Sequence, residues 1–197
     1  DGPNIGVLTG EDIKVVLRPI GLIADALRYA HGKNVVHRDI KAANILLDNR
    51  GVPYLIDFGV AACSDRSHKA TGGSLIASSP QQLAGEAPIP KDDIYSLGAL
   101  IYELISGHPP HMGTAGDSLN KDRESLKAKN GTAIPVLIET LVSQMLAKNP
   151  SVRPDAETVT HRLREAGFDA GLVPTRFIDD VKNVDVVPVG PTIRPLD

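Results

Sequence analysis

Apolar side chains recur at helical spacing over residues 11–30, and this pattern predicts a mostly buried helix. Thr9 is the predicted N-cap and Gly32 the predicted stop, because these residue types favour the two ends of helices. Pro19 interrupts the pattern, so the regular helix is expected to start near Pro19 and to continue to His31.

Two short apolar runs separated by a polar turn predict a β-hairpin farther along the chain. The apolar runs are residues 45–47 and 52–56, and the turn is residues 48–51. Because a hairpin returns the chain to its starting point, Asn44 and Asp57 should lie side by side at its open end.

The most hydrophobic predicted helix opens at residues 92–98 and runs to about Ile105. Its apolar residues lie on nearly all sides, so this helix should form the centre of the core. Two further helices are predicted at residues 135–147 and 155–166, and a short one at 118–129.

Two stretches show no regular period. Residues 61–79 form a long polar segment, and a loop of this length inside a compact domain is usually functional or mobile. From residue 168 to 197, prolines break up short runs of Val and Asp. This end is either a proline-containing linker or tail, or it carries an edge strand at residues 184–189.

Composition adds few constraints. The chain has 197 residues, of which 42% are hydrophobic and 23% charged, as expected for a soluble globular domain. No apolar run approaches the roughly 20 residues of a membrane span, so no membrane contact is expected within this segment. The net charge of -3 gives no reason to expect nucleic acid as a partner.

The ends and the single cysteine predict the context of the chain. Cys63 has no second cysteine to pair with, which fits a reducing compartment and hence a cytoplasmic location. The sequence begins without Met and without a signal-peptide pattern, so it is expected to be a piece of a longer protein.

The open end of the hairpin is suited to a cation. Carboxylate and amide oxygens, as on Asp57 and Asn44, are hard ligands, and one or two such groups usually suffice for Mg²⁺. Asp39 lies five residues before Asn44 and could reach the same cleft as a base.

These positions carry a resemblance to a known family. Residues 37–44 read H-R-D-I-K-A-A-N and residues 57–59 read D-F-G. Together they resemble the catalytic loop and metal-binding motif of the eukaryotic-type (Hanks-type) protein kinases. The alternative interpretation makes Asp57 a turn former and His37 a packed core histidine, but two motifs at this spacing favour the kinase.

The resemblance covers about residues 10–167 and implies a mainly α fold with a small β-hairpin, the C-terminal lobe of a kinase. The sequence contains no G-x-G-x-x-G loop and no V-A-I-K-like lysine, so the N-terminal lobe is lacking. Residues 1–167 are therefore predicted to be a partial kinase domain of a bacterial-looking serine/threonine kinase. The longer protein would transfer the γ-phosphoryl group of ATP to Ser or Thr hydroxyls of a protein substrate.

The resemblance also implies roles for individual residues. Asp39 would accept the proton of the substrate hydroxyl, and Lys41 would steady the γ-phosphate. Asn44 and Asp57 would hold Mg²⁺ and thereby bind the cofactor, and Asn44 would also belong to the catalytic set with Asp39 and Lys41. Leu46 would lie beneath the adenine of ATP.

Three residues are implied to support the site. Asp93, in the D-D-I-Y-S-L-G helix, would anchor the backbone of the catalytic loop, while His37 and Phe58 would stack in an internal column.

A regulatory site is expected in residues 64–74, which fall where kinases keep their activation segment. Thr71 is the best candidate for phosphorylation and Ser67 the next. A phosphate there could order the segment by pairing with Arg38.

One departure from the family pattern lies just after this segment. Residues 79–82 read S-P-Q-Q, so Gln81 stands where the family has a Glu that pairs with the arginine matched here by Arg153. We expect Gln81 and Arg153 to remain within hydrogen-bonding distance. Ala77 similarly stands where many relatives carry an aromatic residue.

Two alternatives belong to other functional classes. A pseudokinase would keep the fold only to bind partners; Gln81 and Ala77 favour it mildly, while the intact Asp39, Asn44 and Asp57 argue against it. A small-molecule phosphotransferase of the aminoglycoside-kinase type shares part of the catalytic motif but lacks an activation segment followed by such a helix.

Overall fold

The computed structural model describes residues 2–58, 77–111 and 123–168, together with the backbone of residues 187–188. These ranges are mainly helical with one small antiparallel sheet, as predicted. The elements are α1 (Ile13–Gly32), β1 (Ile45–Leu47), β2 (Pro53–Leu55), α2 (Pro80–Leu83), α3 (Pro90–Ser106), α4 (Val136–Met145), α5 (Ala156–Glu165) and β3 (Val187–Pro188).

The predicted N-cap of α1 is wrong. Asp12 caps the helix, and its side chain accepts a hydrogen bond from the backbone N–H of Lys14 at 2.8 Å. Thr9 instead donates to the carbonyl of Gly6 and closes the preceding 3₁₀ helix, Ile5–Leu8. An acidic side chain beside the first free N–H groups satisfies one of them.

The prediction that α1 starts at Pro19 is also wrong, because the helix passes through this residue without a break. A proline inside a helix costs about 3 kcal/mol. Full burial of a single Leu or Ile side chain contributes about 1.5–3 kcal/mol, and several such side chains flank the proline. The buried neighbours on either side of it are Val16, Leu17, Ile20, Ile23 and Leu27.

Helix α3 lies at the centre of the core, as its sequence predicted. From Asp92 to Ser106 every residue except Glu103 is buried, and both α1 and α4 pack against α3. Gly98 permits the approach of α4, because a Cβ atom added there would lie only 2.8 Å from the Cβ of Met145.

The short helix predicted at residues 118–129 is wrong where it can be compared. Residues 123–129 are not helical, and the remainder lies outside the described residues. Leu126 is buried, and the backbone N–H of Lys129 donates to the carbonyl of Ile105 at the end of α3. This stretch thus supplies a hydrogen-bond donor to a free carbonyl at the end of α3 and does not form a helix of its own.

The predicted hairpin is present. β1 and β2 pair antiparallel with Ile45 opposite Leu55, and the N–H of Ile56 donates to the carbonyl of Asn44 at 2.9 Å. The open end therefore places Asn44 one residue from the level of Asp57, as its spacing predicted.

The turn of the hairpin is fixed by one side chain. The Oδ1 atom of Asp48 accepts hydrogen bonds from the backbone N–H groups of Arg50 and Val52, at 2.8 and 2.9 Å. Gly51 has a φ of 76°, a left-handed conformation that glycine adopts at little cost.

The last strand favours the edge-strand alternative for two residues of the predicted tail. β3 pairs antiparallel with β2, with Pro188 opposite Tyr54. Other predictions fall outside the described residues: most of the loop at 61–79, the candidates Thr71 and Ser67, and the rest of the tail beyond Phe168. Among the described helices, none is both long and apolar enough to cross a bilayer.

Candidate active site

The loop that carries the candidate catalytic residues is fastened to the start of α3. The carboxylate of Asp93 is fully buried; it accepts hydrogen bonds from the backbone N–H groups of Arg38 at 2.7 Å and of His37 at 2.9 Å. The predicted anchor is therefore confirmed. The ring of His31 adds a further contact at 2.8 Å, which the sequence did not indicate.

The ring of His37 connects this loop to the hairpin. Its Nε2–H donates to the carbonyl of Ile56 at 3.0 Å, and its Nδ1 accepts from the N–H of Asp39 at 3.3 Å. Burial lowers the pKa of His37, and this effect exceeds the opposing attraction of Asp93, Asp39 and Asp57. The neutral ring thus holds Asp39 and the residue before Asp57 at fixed positions.

The predicted contact between His37 and Phe58 is confirmed. Their ring centroids are 4.5 Å apart, and the planes meet edge to face at 64°. This geometry is favourable for two aromatic rings and adds to the packing around the loop.

Two of the predicted site residues, Lys41 and Asn44, converge on the carboxylate of a third, Asp39. The Oδ2 atom of Asp39 accepts hydrogen bonds from Nζ of Lys41 at 2.6 Å and from Nδ2 of Asn44 at 2.9 Å. Nδ2 of Asn44 also donates to the carbonyl of Asp39 at 2.8 Å. Because the nitrogen of this amide faces Asp39, its Oδ1 atom is the group of Asn44 that is suited to a cation.

Asp57 follows directly after the strand end that pairs with Asn44. Its backbone is left-handed, with a φ of 66°, and its side chain is exposed. The described residues contain no group of three or more His, Cys, Asp or Glu side chains that could hold a metal. A cation at this end of the hairpin would therefore depend on one carboxylate and one amide from the chain.

Leu46 occupies the middle of β1. It is half-buried, whereas its neighbours Ile45 and Leu47 are buried in the core. Because side chains alternate along a strand, Leu46 faces away from the core.

Arg38 has features that the sequence did not predict. Its φ of 70° is left-handed, and its carbonyl accepts a hydrogen bond from Nε2 of Gln82 at 2.9 Å. Its Nε atom is buried without a hydrogen-bond partner among the residues that the structure describes. The only local signal for Gln82 was a polar residue in the first turn of a short helix, which does not reveal a contact so distant in sequence.

The expected contact between Gln81 and Arg153 is confirmed. Nη2 of Arg153 donates to Oε1 of Gln81 at 2.6 Å, and Nε2 of Gln81 donates to the carbonyl of Lys148 at 3.1 Å. The carbonyl of Ala77 accepts a hydrogen bond from the hydroxyl of Ser96 at 2.9 Å. The end of the predicted activation segment is thus tied to α3 and to the connector before α5.

Comparisons with known proteins agree with this geometry. A sequence model of the protein kinase domain matches residues 6–163. The serine/threonine-protein kinase PkaA of Streptomyces coelicolor is 35% identical over 158 residues, which cover 76% of this chain and 29% of that protein. PknL of Mycobacterium tuberculosis is 34% identical over 156 residues, which cover 75% of this chain and 38% of that protein.

A third relative shows the same partial coverage. PknB of Mycolicibacterium smegmatis, also named a serine/threonine-protein kinase, is 33% identical over 150 residues, covering 69% of this chain and 24% of that protein. The chain spans well under half the length of these relatives.

Proposed function

Because the chain belongs to the protein kinase domain family, we propose that it forms the C-terminal lobe of a bacterial serine/threonine protein kinase. The reaction is transfer of the γ-phosphoryl group of ATP to a Ser or Thr hydroxyl of a protein substrate. The observation that carries this proposal is the convergence of Lys41 and Asn44 on the carboxylate of Asp39. An acid residue held by a cation and an amide in one cleft fits phosphoryl transfer.

Asp39 is the proposed base. A hydroxyl oxygen of the substrate forms a bond to the γ-phosphorus while the bond from that phosphorus to the bridging oxygen of ADP breaks. The hydroxyl proton passes to Asp39, whose position is fixed by its hydrogen bonds to Asn44 and His37. The Lys41 ammonium, which lies 2.6 Å from the same carboxylate, supplies positive charge beside the γ-phosphate.

Asn44 and Asp57 are the proposed ligands of Mg²⁺. The donor set fits this ion, because both groups offer oxygen and the amide nitrogen of Asn44 is already committed to Asp39. Mg²⁺ bound there neutralises charge on the phosphates. The exposed side chain of Asp57 and the hairpin pairing next to Asn44 support this assignment.

Leu46 is the proposed contact for the adenine ring. It is the residue of β1 that faces away from the core, so a flat apolar ligand can pack on it without displacing a core side chain. A complete kinase also has a phosphate-covering glycine loop and a strand lysine, and neither motif occurs in residues 1–197.

The test uses the natural full-length protein with ATP and Mg²⁺, offered either a generic protein acceptor or a panel of small alcohols. Transfer to the protein acceptor alone is expected, and Asp39→Asn and Asp57→Asn should each abolish it. Asn tolerates the left-handed φ of Asp57 well, so the second variant should keep its fold. Glu86→Gln, at an exposed residue that has no assigned role in the site, is the matched control.

Each other outcome selects a different conclusion. Phosphorylation of the small alcohols would indicate a small-molecule phosphotransferase, and binding of partners without any transfer would indicate a pseudokinase. If Asp57→Asn keeps most of the activity, the metal assignment is wrong.

A further inference from the structure

Arg153 is a buried cation with mostly neutral partners. Its side chain has no exposed surface, and three of its nitrogens donate to the backbone carbonyls of Ala147, Lys91 and Lys148 at 2.8, 3.0 and 3.1 Å. The contact with Gln81 is with an amide, which is also uncharged. Since a guanidinium stays protonated in proteins, this burial requires a compensating negative charge.

Asp92 is the carboxylate that lies beside it. Its Oδ1 atom is 3.8 Å from Nη1 of Arg153, and within the described ranges no other carboxylate forms an ion pair with this arginine. Asp92 is itself only 1% exposed. Burial lowers the pKa of Arg153, and Asp92 is the strongest influence that opposes this effect.

The same carboxylate also fixes the backbone around it. Its Oδ1 atom accepts a hydrogen bond from the hydroxyl of Ser79 at 2.6 Å, and its Oδ2 atom accepts from the N–H of Ile89 at 3.0 Å. Ser79 is the N-cap of α2 and is bonded in turn to Gln82. Asp92 thus joins the start of α2 to the start of α3.

We propose that Asp92 is the counter-ion of Arg153, and that this buried pair positions the turn at Ser79 and Pro80 against α3. Gln81 supplies a neutral hydrogen bond to the same guanidinium and leaves the charge balance to Asp92. In this chain the negative charge therefore enters from the first turn of α3 rather than from α2.

This assignment predicts that the charge can be moved. Oε1 of Gln81 lies 2.6 Å from Nη2 of Arg153, so a carboxylate at position 81 would meet the guanidinium directly. Gln81→Glu should therefore replace a charge lost at position 92. In the presence of Asp92 it would add a second carboxylate to a site that is already balanced.

The experiment measures urea unfolding of the full 197-residue chain at pH 7 for Asp92→Asn, Gln81→Glu and the double variant. Asp92→Asn should raise the unfolding equilibrium constant at least about tenfold, because it leaves Arg153 without its counter-charge. Gln81→Glu alone should change it less than about threefold, because the exposed carbonyl of Lys148 that loses the Gln81 amide keeps its bond from Arg153. In the double variant it should recover at least half of the loss on a logarithmic scale.

Ser79→Ala is the control for a purely structural effect, because it removes a hydrogen bond to Asp92 but no charge. Gln81→Glu should not rescue Ser79→Ala. If Asp92→Asn fails to fold, recovery of a folded chain by the second substitution still supports the proposal. Failure of Gln81→Glu to improve Asp92→Asn, or equal improvement of Ser79→Ala, overturns it.

Discussion

The side chain of Gln82 donates a hydrogen bond of 2.9 Å to the backbone carbonyl of Arg38, across 44 residues of sequence. Its oxygen accepts from the N–H of Ser79 at 3.2 Å. One amide thereby fastens the end of the predicted activation segment to Arg38 of the proposed catalytic loop, whose left-handed backbone costs about 1–3 kcal/mol.

Gln82→Glu should lower the free energy of unfolding by about 1–3 kcal/mol, because the carbonyl of Arg38 loses its donor. The new carboxylate can still accept from Ser79, so the variant keeps this bond while it replaces the donor to Arg38 by a charged acceptor. Asn130→Asp is a matched control, since Asn130 also donates an amide hydrogen to a backbone carbonyl, that of Glu11, but at an exposed site. If both variants lose the same free energy of unfolding in denaturant, the bond to Arg38 contributes no more than a bond at an exposed site.

The neutral state of His37 predicts how stability depends on pH. The unfolded chain binds a proton at this position below the usual pKa of 6.5, whereas the folded ring, whose pKa is lowered by burial, binds its proton only at a lower pH. Stability should therefore be complete above pH 6.5 and fall by at most about 1.4 kcal/mol per pH unit below it.

The contribution of His37 is measured by comparing His37→Gln with the parent chain in urea unfolding between pH 5 and 8. The fall of the free energy of unfolding below pH 6.5 should become smaller in this variant. His161→Gln should retain it, because the side chain of His161 is 70% exposed. A proton-resonance titration of the His37 ring near or above 6.5 would contradict the assignment without any substitution.

Gly98→Ala should destabilise the chain by about 1–3 kcal/mol, because the new methyl group meets Met145 at a distance that forces α3 and α4 apart. Gly32→Ala is the control: it lies at the end of α1, and a Cβ there meets no atom within 4 Å. Thermal unfolding should give a lower melting temperature than the parent for Gly98→Ala and a higher one for Gly32→Ala, since Ala otherwise favours a helix over Gly. Unchanged stability of Gly98→Ala would contradict this prediction, because it would show that α3 and α4 accommodate the methyl group without cost.

The 197-residue chain alone is expected to show negligible kinase activity. Positioning of reactants can supply about 7–11 kcal/mol of a barrier, and the motifs that position the phosphates are absent from the sequence. Turnover of ATP within tenfold of ordinary kinases, about 1–100 per second, would refute this expectation.

Much of the fold could be predicted because its signals are local. Alternation, turn residues and helical spacing located the hairpin, α3, α4 and α5 within a few residues. The predicted start at Pro19 was wrong because burial on both sides of the proline outweighed a local preference. The predicted cap was wrong because Thr9 closes the preceding 3₁₀ helix and Asp12 caps α1. The helix predicted at 118–129 was wrong over residues 123–129, because the backbone N–H of Lys129 donates to a carbonyl at the end of α3 instead.

The contacts of the candidate site likewise fall into those that the sequence could predict and those that it could not. The convergence of Asn44 with Asp39 could be predicted from their spacing, and the anchoring by Asp93 from the family resemblance. The contacts of Gln82 and Asp92 could not, because each joins elements whose approach is decided only when α2 and α3 pack. Hydrogen bonds between distant segments leave no periodic trace in a sequence.

The turn at Asp48 determines where the hairpin tolerates changes of length. Deletion of one residue from β2 would shift the pairing by about 3.3 Å and turn its side chains to the opposite face, carrying Asp57 away from Asn44. Insertions beyond Gly51 at the tip leave the pairing of Ile45 with Leu55 intact. Changes of length at the tip of the hairpin are therefore compatible with the proposed metal ligands Asn44 and Asp57 at its open end. Changes of length within the strands are not.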